Sequence, residues 1–334
     1  MHLIAHSTLA PPGPDIARIA AAIRGGASGF LRVRNLRSRA TAEPVVVGVC
    51  EAMHAVPLRD RLRQLAAAAS APCREALRRH GGRLAAVLLA LPSERPGLDP
   101  ETLTALAGDI VRDLDVPLDG VTTAMVPGAQ ATGLRLVADA MKLIADDDAV
   151  VLVGGVDCFV DRHVLAWLEA MNRLKTSVAP KGLMPAEGAA FLLFGGRGSG
   201  VRVAGMGVAK EPKPWFGGES SIGAGLTAAI AACAGAAPER VAATFCDNNG
   251  ETWRAHEWMY AYLRTAAVHP EPLDLREPAA GWGDLGAATG PALVSLAAHE
   301  MGRDPLLART LVFAASDLTA ERAAIILSRQ DKTP

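Results

Sequence analysis

Four short stretches of the chain, residues 45–50, 84–91, 149–153 and 189–194, contain no polar side chain at all. A strand with one wet face alternates polar and apolar residues, so unbroken runs this short belong to strands covered on both faces. Segments with helical spacing stand between them, at 14–24, 58–79, 99–114, 127–144 and 160–174. This alternation predicts an α/β protein with largely buried strands. Asp99, Pro100 and Glu101 mark one helix start, as N-cap, first helical residue and first-turn acid.

The order of elements then begins again. Residues 195–200 (GGRGSG) form a linker. Strand, helix, strand, helix, strand, strand recur at 201–208, 222–234, 241–245, 253–266, 311–315 and 323–327, with a helix at 286–301. No residue motif repeats, only the sequence of elements. Two halves are expected, 1–198 and 199–334.

Composition narrows the function classes. The 334 residues carry 34 basic and 35 acidic side chains, so no net field draws in nucleic acid or an anionic membrane. Hydrophobic residues make up 50% and aromatic ones only 4%, which describes a core of small aliphatic side chains. The uncharged stretch 220–238 falls short of the ~20 strongly apolar residues that cross a bilayer. The N-terminal residues lack a basic segment followed by an apolar one, so no signal peptide is expected. Cys50, Cys73, Cys158, Cys233 and Cys246 are widely spaced and include no C-x-x-C pair. Such a set suits neither a disulfide framework nor a metal site, and it fits a reducing cytoplasm. No cofactor is expected: Gly205-Met206-Gly207 lacks the third glycine of a dinucleotide loop, and no histidines stand at metal-ligand spacing.

Residues 148–157 (DAVVLVGGVD) and 182–194 (GLMPAEGAAFLLF) resemble two segments of the β-ketoacyl-acyl-carrier-protein synthases, members of the thiolase superfamily. The first resembles the strand and glycine turn after the active-site helix. The second resembles D-G-F-V-x-G-E-G-A-A-x-L-x-L, with Ala186 where glycine is usual. With 121–133 and 283–290, the similarity runs from about residue 45 to the C-terminus. It implies a thiolase-like fold of two similar halves, each a mixed five-stranded sheet, layered between helices as αβαβα. It also implies a homodimer or heteromer formed through the strand before the nucleophile, here Gly120 to Ala124. Family members meet acyl carrier protein through basic patches. Arg32 to Arg39 (RVRNLRSR) is the candidate here, the other reading being a solvated basic loop.

Catalysis is where the chain departs from the family. Condensation there needs a cysteine at a helix mouth, where the helix N-terminus lowers the thiol pKa and offers N–H groups to the oxyanion. Aligned on Thr122, Thr123, Ala124 and Gly133, that position falls on Met125, which reads as a core side chain. The first family histidine, in H-G-T-x-T, falls on Asn249, with Glu257 at the acidic position eight residues on. Asparagine donates a hydrogen bond but moves no proton. The second, in G-H-x-x-G-A-A-G, falls on Gly283, and the family's G-F-G-G loop has no counterpart in 314–324.

Asp247, Asn249, Glu251, Arg254 and Glu257, with Asp284 on another loop, make a dense polar set beside the former mouth. Two readings stay open: a repurposed polar pocket, or a helix cap by Asp247 or Asn248 with salt bridges to Arg254. Cys246 with His256 is a candidate relocated nucleophile, and Met125 with Trp282 a candidate plug of the acyl tunnel. The expected function is a catalytically inactive ketosynthase-like subunit acting as a binding, scaffold or accessory protein. The alternatives are an active 3-oxoacyl synthase or acyltransferase with atypical residues, and a ligand-sensing module on the former pocket.

Overall fold

The computed structural model describes residues 1–50, 56–236 and 239–330, so the last two residues of the 220–238 stretch lie outside it. The first half contains β1 (His2–Leu9), α1 (Ile16–Arg24), β2 (Phe30–Arg37), β3 (Pro44–Gly48), α2 (Leu58–His80), β4 (Arg83–Pro92), α3 (Pro100–Asp113), β5 (Thr122–Gly128), α4 (Thr132–Leu143), β6 (Ala149–Cys158), α5 (Arg162–Ala170) and β7 (Glu187–Gly195). The second contains β8 (Val201–Lys210), α6 (Ala224–Gly235), β9 (Ala243–Cys246), α7 (Thr252–Thr265), β10 (Leu275–Arg276), α8 (Ala279–Trp282), α9 (Thr289–Arg303), β11 (Arg309–Ala315) and β12 (Glu321–Arg329). Among the described residues, no helix is long and apolar enough to cross a membrane.

The main sheet runs β10-β9-β11-β12-β8-β1-β7-β6-β4-β5. Counted by sequence within each half, the strands stand 3-2-4-5-1 both times. In each half the fifth strand is antiparallel to both neighbours, and the other pairs are parallel. His2 pairs with Arg202 where β1 meets β8 and the halves join. A repeat that no residue motif announces is therefore explicit in the topology.

Side-chain alternation along the strands divides the interior into three apolar layers. Ala86, Leu88 and Ala90 of β4 face an inner core shared with α4, α9 and the second half's Val312, Ala314 and Ile325. Val87, Leu89 and Leu91 face outward to α2 and α3, and Leu311, Phe313 and Ile326 face α6 and α7. Helix, sheet, helix pair, sheet, helix: the architecture is αβαβα. α9 is buried along almost its whole length, as its apolar sequence on every side requires of a helix between the two halves of the folded ten-stranded sheet. Its close crossing with α4 depends on small residues. A Cβ at Gly133 would meet Pro291 Cδ at 2.3 Å. This contact fixes where the head of α4 points.

Three local expectations change. The apolar run at 45–50 does not enter the main sheet; β3 pairs with β2 in a separate two-stranded hairpin. The arginine-rich 32–37 stretch lies on β2 rather than in a loop. Pro127 and Gly128 end β5 instead of opening a helix, because β5 is the edge strand, where proline's missing N–H sacrifices no ladder bond. α4 therefore begins at Thr132.

Candidate functional site

The turn from β5 into α4 delivers Gln130 to the helix mouth, where it is 1% exposed. Its Nε2 donates to both carboxylate oxygens of Asp284, at 3.2 and 3.1 Å, and its Oε1 accepts the Asp317 N–H at 3.2 Å. Asn249 Nδ2 donates to Asp284 Oδ2 at 2.6 Å and to Glu251 Oε2 at 3.0 Å. Three distant stretches thus meet here through the side chains of Gln130, Asn249 and Asp284.

The assignment of Met125 needs correction, and Gly283 leaves its part at the mouth to a neighbour. Met125 lies inside β5 opposite Leu89, and its side chain joins the outer cluster toward α2 and α3. It is on the opposite face of the sheet from α4 and cannot occupy the helix mouth. Gly283 has φ +82°, and a Cβ there would meet Ala186 Cβ at 2.7 Å and Met184 O at 2.8 Å. The following residue, Asp284, carries the side chain that reaches the mouth. Trp282 is packed in the inner cluster, so it and Met125 do not plug one tunnel.

A buried ionic network surrounds the Gln130 amide. Arg173, from the segment after α5, holds Glu251 with two bonds of 2.7 and 2.9 Å and reaches Asp317 at 2.6 Å. Arg254 bonds Asp247 and the Ala315 carbonyl, and Asp247 accepts the Ala315 N–H at 2.7 Å. Glu257 is paired separately, with Arg322 at 2.7 and 2.8 Å. Trp253 stacks over Arg254 at 4.3 Å, and Trp215 lies on Trp253 at 6.0 Å while donating to the Asp317 carbonyl at 2.8 Å. Neither Asp247 nor Asn248 caps α7; Asn249 Oδ1 accepts the Glu251 N–H at 3.0 Å, and Asn248 bonds Glu277 at 2.7 Å.

The network holds four carboxylates, Asp247, Glu251, Asp284 and Asp317, around two guanidinium groups, Arg173 and Arg254. Burial pushes Asp247 up to about 6, against the pull of Arg254. Burial likewise raises Asp284. Asp317 is also buried, yet the charges of Arg173 and Arg254 hold it below its ordinary value. Of the six expected pocket residues, Asn249 and Glu251 border a cavity of about 590 Å³, together with Lys175, Lys181 and His256. Asp247, Arg254, Glu257 and Asp284 are buried behind it.

Sequence reasoning missed Gln130, Arg173, Asp317 and Arg322. The signal for Gln130 is Gly133 taken without Thr122 to Ala124, because the glycine contact with Pro291 and not the strand anchors the head of α4. Arg173 and Asp317 sit in irregular segments without a periodic signal.

The chemistry available at the mouth is limited. A carboxamide has no nucleophile to ionise, and the Ala131 N–H beside it is taken by Ser316 Oγ at 3.2 Å. Cys246 lies in the outer cluster of the second half, with its thiol pushed up by burial, while His256 is exposed on α7. Among the described residues, no hydrogen bond joins a cysteine thiol to a histidine. Two motif residues instead brace the site. Glu187 accepts the Cys50 N–H at 2.8 Å and pairs with Arg61, tying α2 to β7. Asp157 pairs with Arg95 and accepts the Ala287 N–H at 2.9 Å, which steadies the loop that presents Asp284.

No family model and no curated protein sequence matches the chain. Solved structures do match. A ketosynthase in complex with its chain length factor from Xenorhabdus doucetiae is 15% identical, with a TM-score of 0.78 over 98% of each chain. The ishigamide ketosynthase/chain length factor is 19% identical, with a TM-score of 0.74 over 98% of this chain and 99% of that one. A type II polyketide ketosynthase bound to its acyl-carrier protein, AntDE:AntF, is 12% identical, with a TM-score of 0.78 over 99% of both. The chain has the thiolase-like fold of the ketosynthases over nearly its entire length.

Proposed function

We propose that this protein is a non-condensing ketosynthase-like subunit that acts by association with another protein. The observation that carries the proposal is Gln130, buried at the helix mouth and bound at both ends of its amide. A thioester intermediate requires a thiol in that place, and proton transfer requires a titrating partner where Asn249 stands.

The partner is a chain of the same fold, identical or different. β5 lies at the open edge of the main sheet with Thr122 and Thr123 exposed, which leaves backbone groups available for pairing. Solved neighbours are ketosynthases paired with chain length factors or bound to an acyl-carrier protein, and both kinds of partner are candidates here. We take 1–198 and 199–334 as the two units of the subunit, in a cytoplasmic setting.

Sedimentation of the purified chain, alone and mixed with a condensing ketosynthase of the kind that pairs with a chain length factor, tests the reading. A stable dimer in either sample is expected; a monomer in both would overturn it. The cavity of about 590 Å³ bordered by Asn249 and Glu251 favours one second reading, a ligand sensor. That reading requires a small molecule that raises the unfolding temperature of the wild type but not of Lys175→Ala.

A further inference from the structure

A second cavity, of about 600 Å³, lies between the β2–β3 hairpin and α5. We infer that it is a binding site for a small organic phosphate. Its walls bring Arg34, Arg37 and Arg39 from the hairpin segment against Arg162 from α5, with Leu36 and Leu165 among its apolar residues. This volume is within the range of small-molecule sites; the lining is more polar than such sites usually are, as an anion site requires.

The charge is unbalanced and available. Among the described residues, Glu169 is the one carboxylate on the wall, and it is already bound by Ser38 Oγ and by the N–H groups of Arg39 and Ala40, at 2.8 and 3.2 Å. Arg37 donates to the Ala42 carbonyl at 2.7 Å. Arg34 and Arg162 have no hydrogen bond or ion pair with any described residue. At the head of α5, Asp161 accepts the His163 N–H at 2.8 Å and the Val164 N–H at 3.4 Å. The attraction is therefore that of the guanidinium forks.

Arginine forks match the paired oxygens of phosphate, whereas a lysine offers only a point charge. The cavity is a cleft between two elements with all four arginines exposed at its walls, and the compact phosphate is what their convergence on one volume favours. None of its lining residues belongs to the Gln130 network, but Arg34, Arg37 and Arg39 lie in the stretch named above as the candidate contact for acyl carrier protein, and the small phosphate is an alternative use of those arginines.

Isothermal titration of the full chain with phenyl phosphate tests it, since that probe joins a phosphate to a small apolar group. Saturable binding is expected, weakened at least about tenfold in Arg34→Gln/Arg162→Gln, which removes two charge-assisted contacts. Arg78→Gln, an exposed arginine outside the cavity, should bind as the wild type does. The double variant should keep the wild-type unfolding temperature, because neither arginine has a partner to lose. No saturable binding, equal binding by the double variant, or binding of a hexa-aspartate peptide without phenyl phosphate would each overturn the assignment.

Discussion

At the scale of single residues, the account turns on Gln130 and on the ions packed around it. Replacing Gln130 with cysteine restores a thiol but neither proton-transfer partner. Gln130→Cys should therefore leave condensation of a malonyl thioester at background, measured by product mass. Arg173 is the cation shared by Glu251 and Asp317. Arg173→Ala leaves both carboxylates buried with a single remaining arginine and should cost about 3–5 kcal/mol of stability in urea unfolding. Lysine at the same position, a point charge without the fork, should recover only part of that loss.

His269 supplies a pH dependence at the same scale. It is fully buried, with Thr244 Oγ1 3.0 Å from Nδ1 and Thr265 Oγ1 3.1 Å from Nε2. Burial lowers its pKa from 6.5 to about 4. The unfolded ring takes up its proton first as pH falls. Its contribution to stability is therefore complete above pH 6.5 and lost as pH drops through about 4, a change of about 3 kcal/mol. Urea midpoints across that window should fall more steeply in the wild type than in His269→Gln.

At the scale of elements, the association surface we propose is the edge strand β5. Lysines at Thr122 and Thr123, both exposed, place charge on the pairing edge. Thr122→Lys/Thr123→Lys should shift sedimentation from dimer to monomer and leave the unfolding temperature nearly unchanged. The same strand shows why the site was only partly legible. Proline and glycine at 127–128 imitate a helix opening, and nothing in the sequence says that β5 has a free edge. Aligning on Thr122, Thr123 and Ala124 placed the mouth at Met125, and the proline and glycine after it looked like the helix start. Where burial is on both faces, as along β4, β6 and β7, the apolar runs located the strands well. The run in β3 had the same appearance yet belongs to a hairpin, since an apolar run reports burial and not its partner.

At the scale of the whole molecule, two halves share one strand order and enclose α4 and α9 between them. The order of elements disclosed this plan without any repeated motif, because topology is preserved by burial pattern rather than by particular side chains. Polar contacts across the plan were hidden for the complementary reason. Arg173 meets Asp317 only because the sheet brings the two halves face to face, and sequence spacing carries no trace of that meeting. The central claim is that the chain assembled by this plan holds no acyl group at its helix mouth. Intact-protein mass spectrometry after incubation with malonyl and long-chain acyl thioesters tests it most directly. The account predicts an unchanged mass; a stable acyl adduct mapped to a residue bordering Gln130 would contradict it.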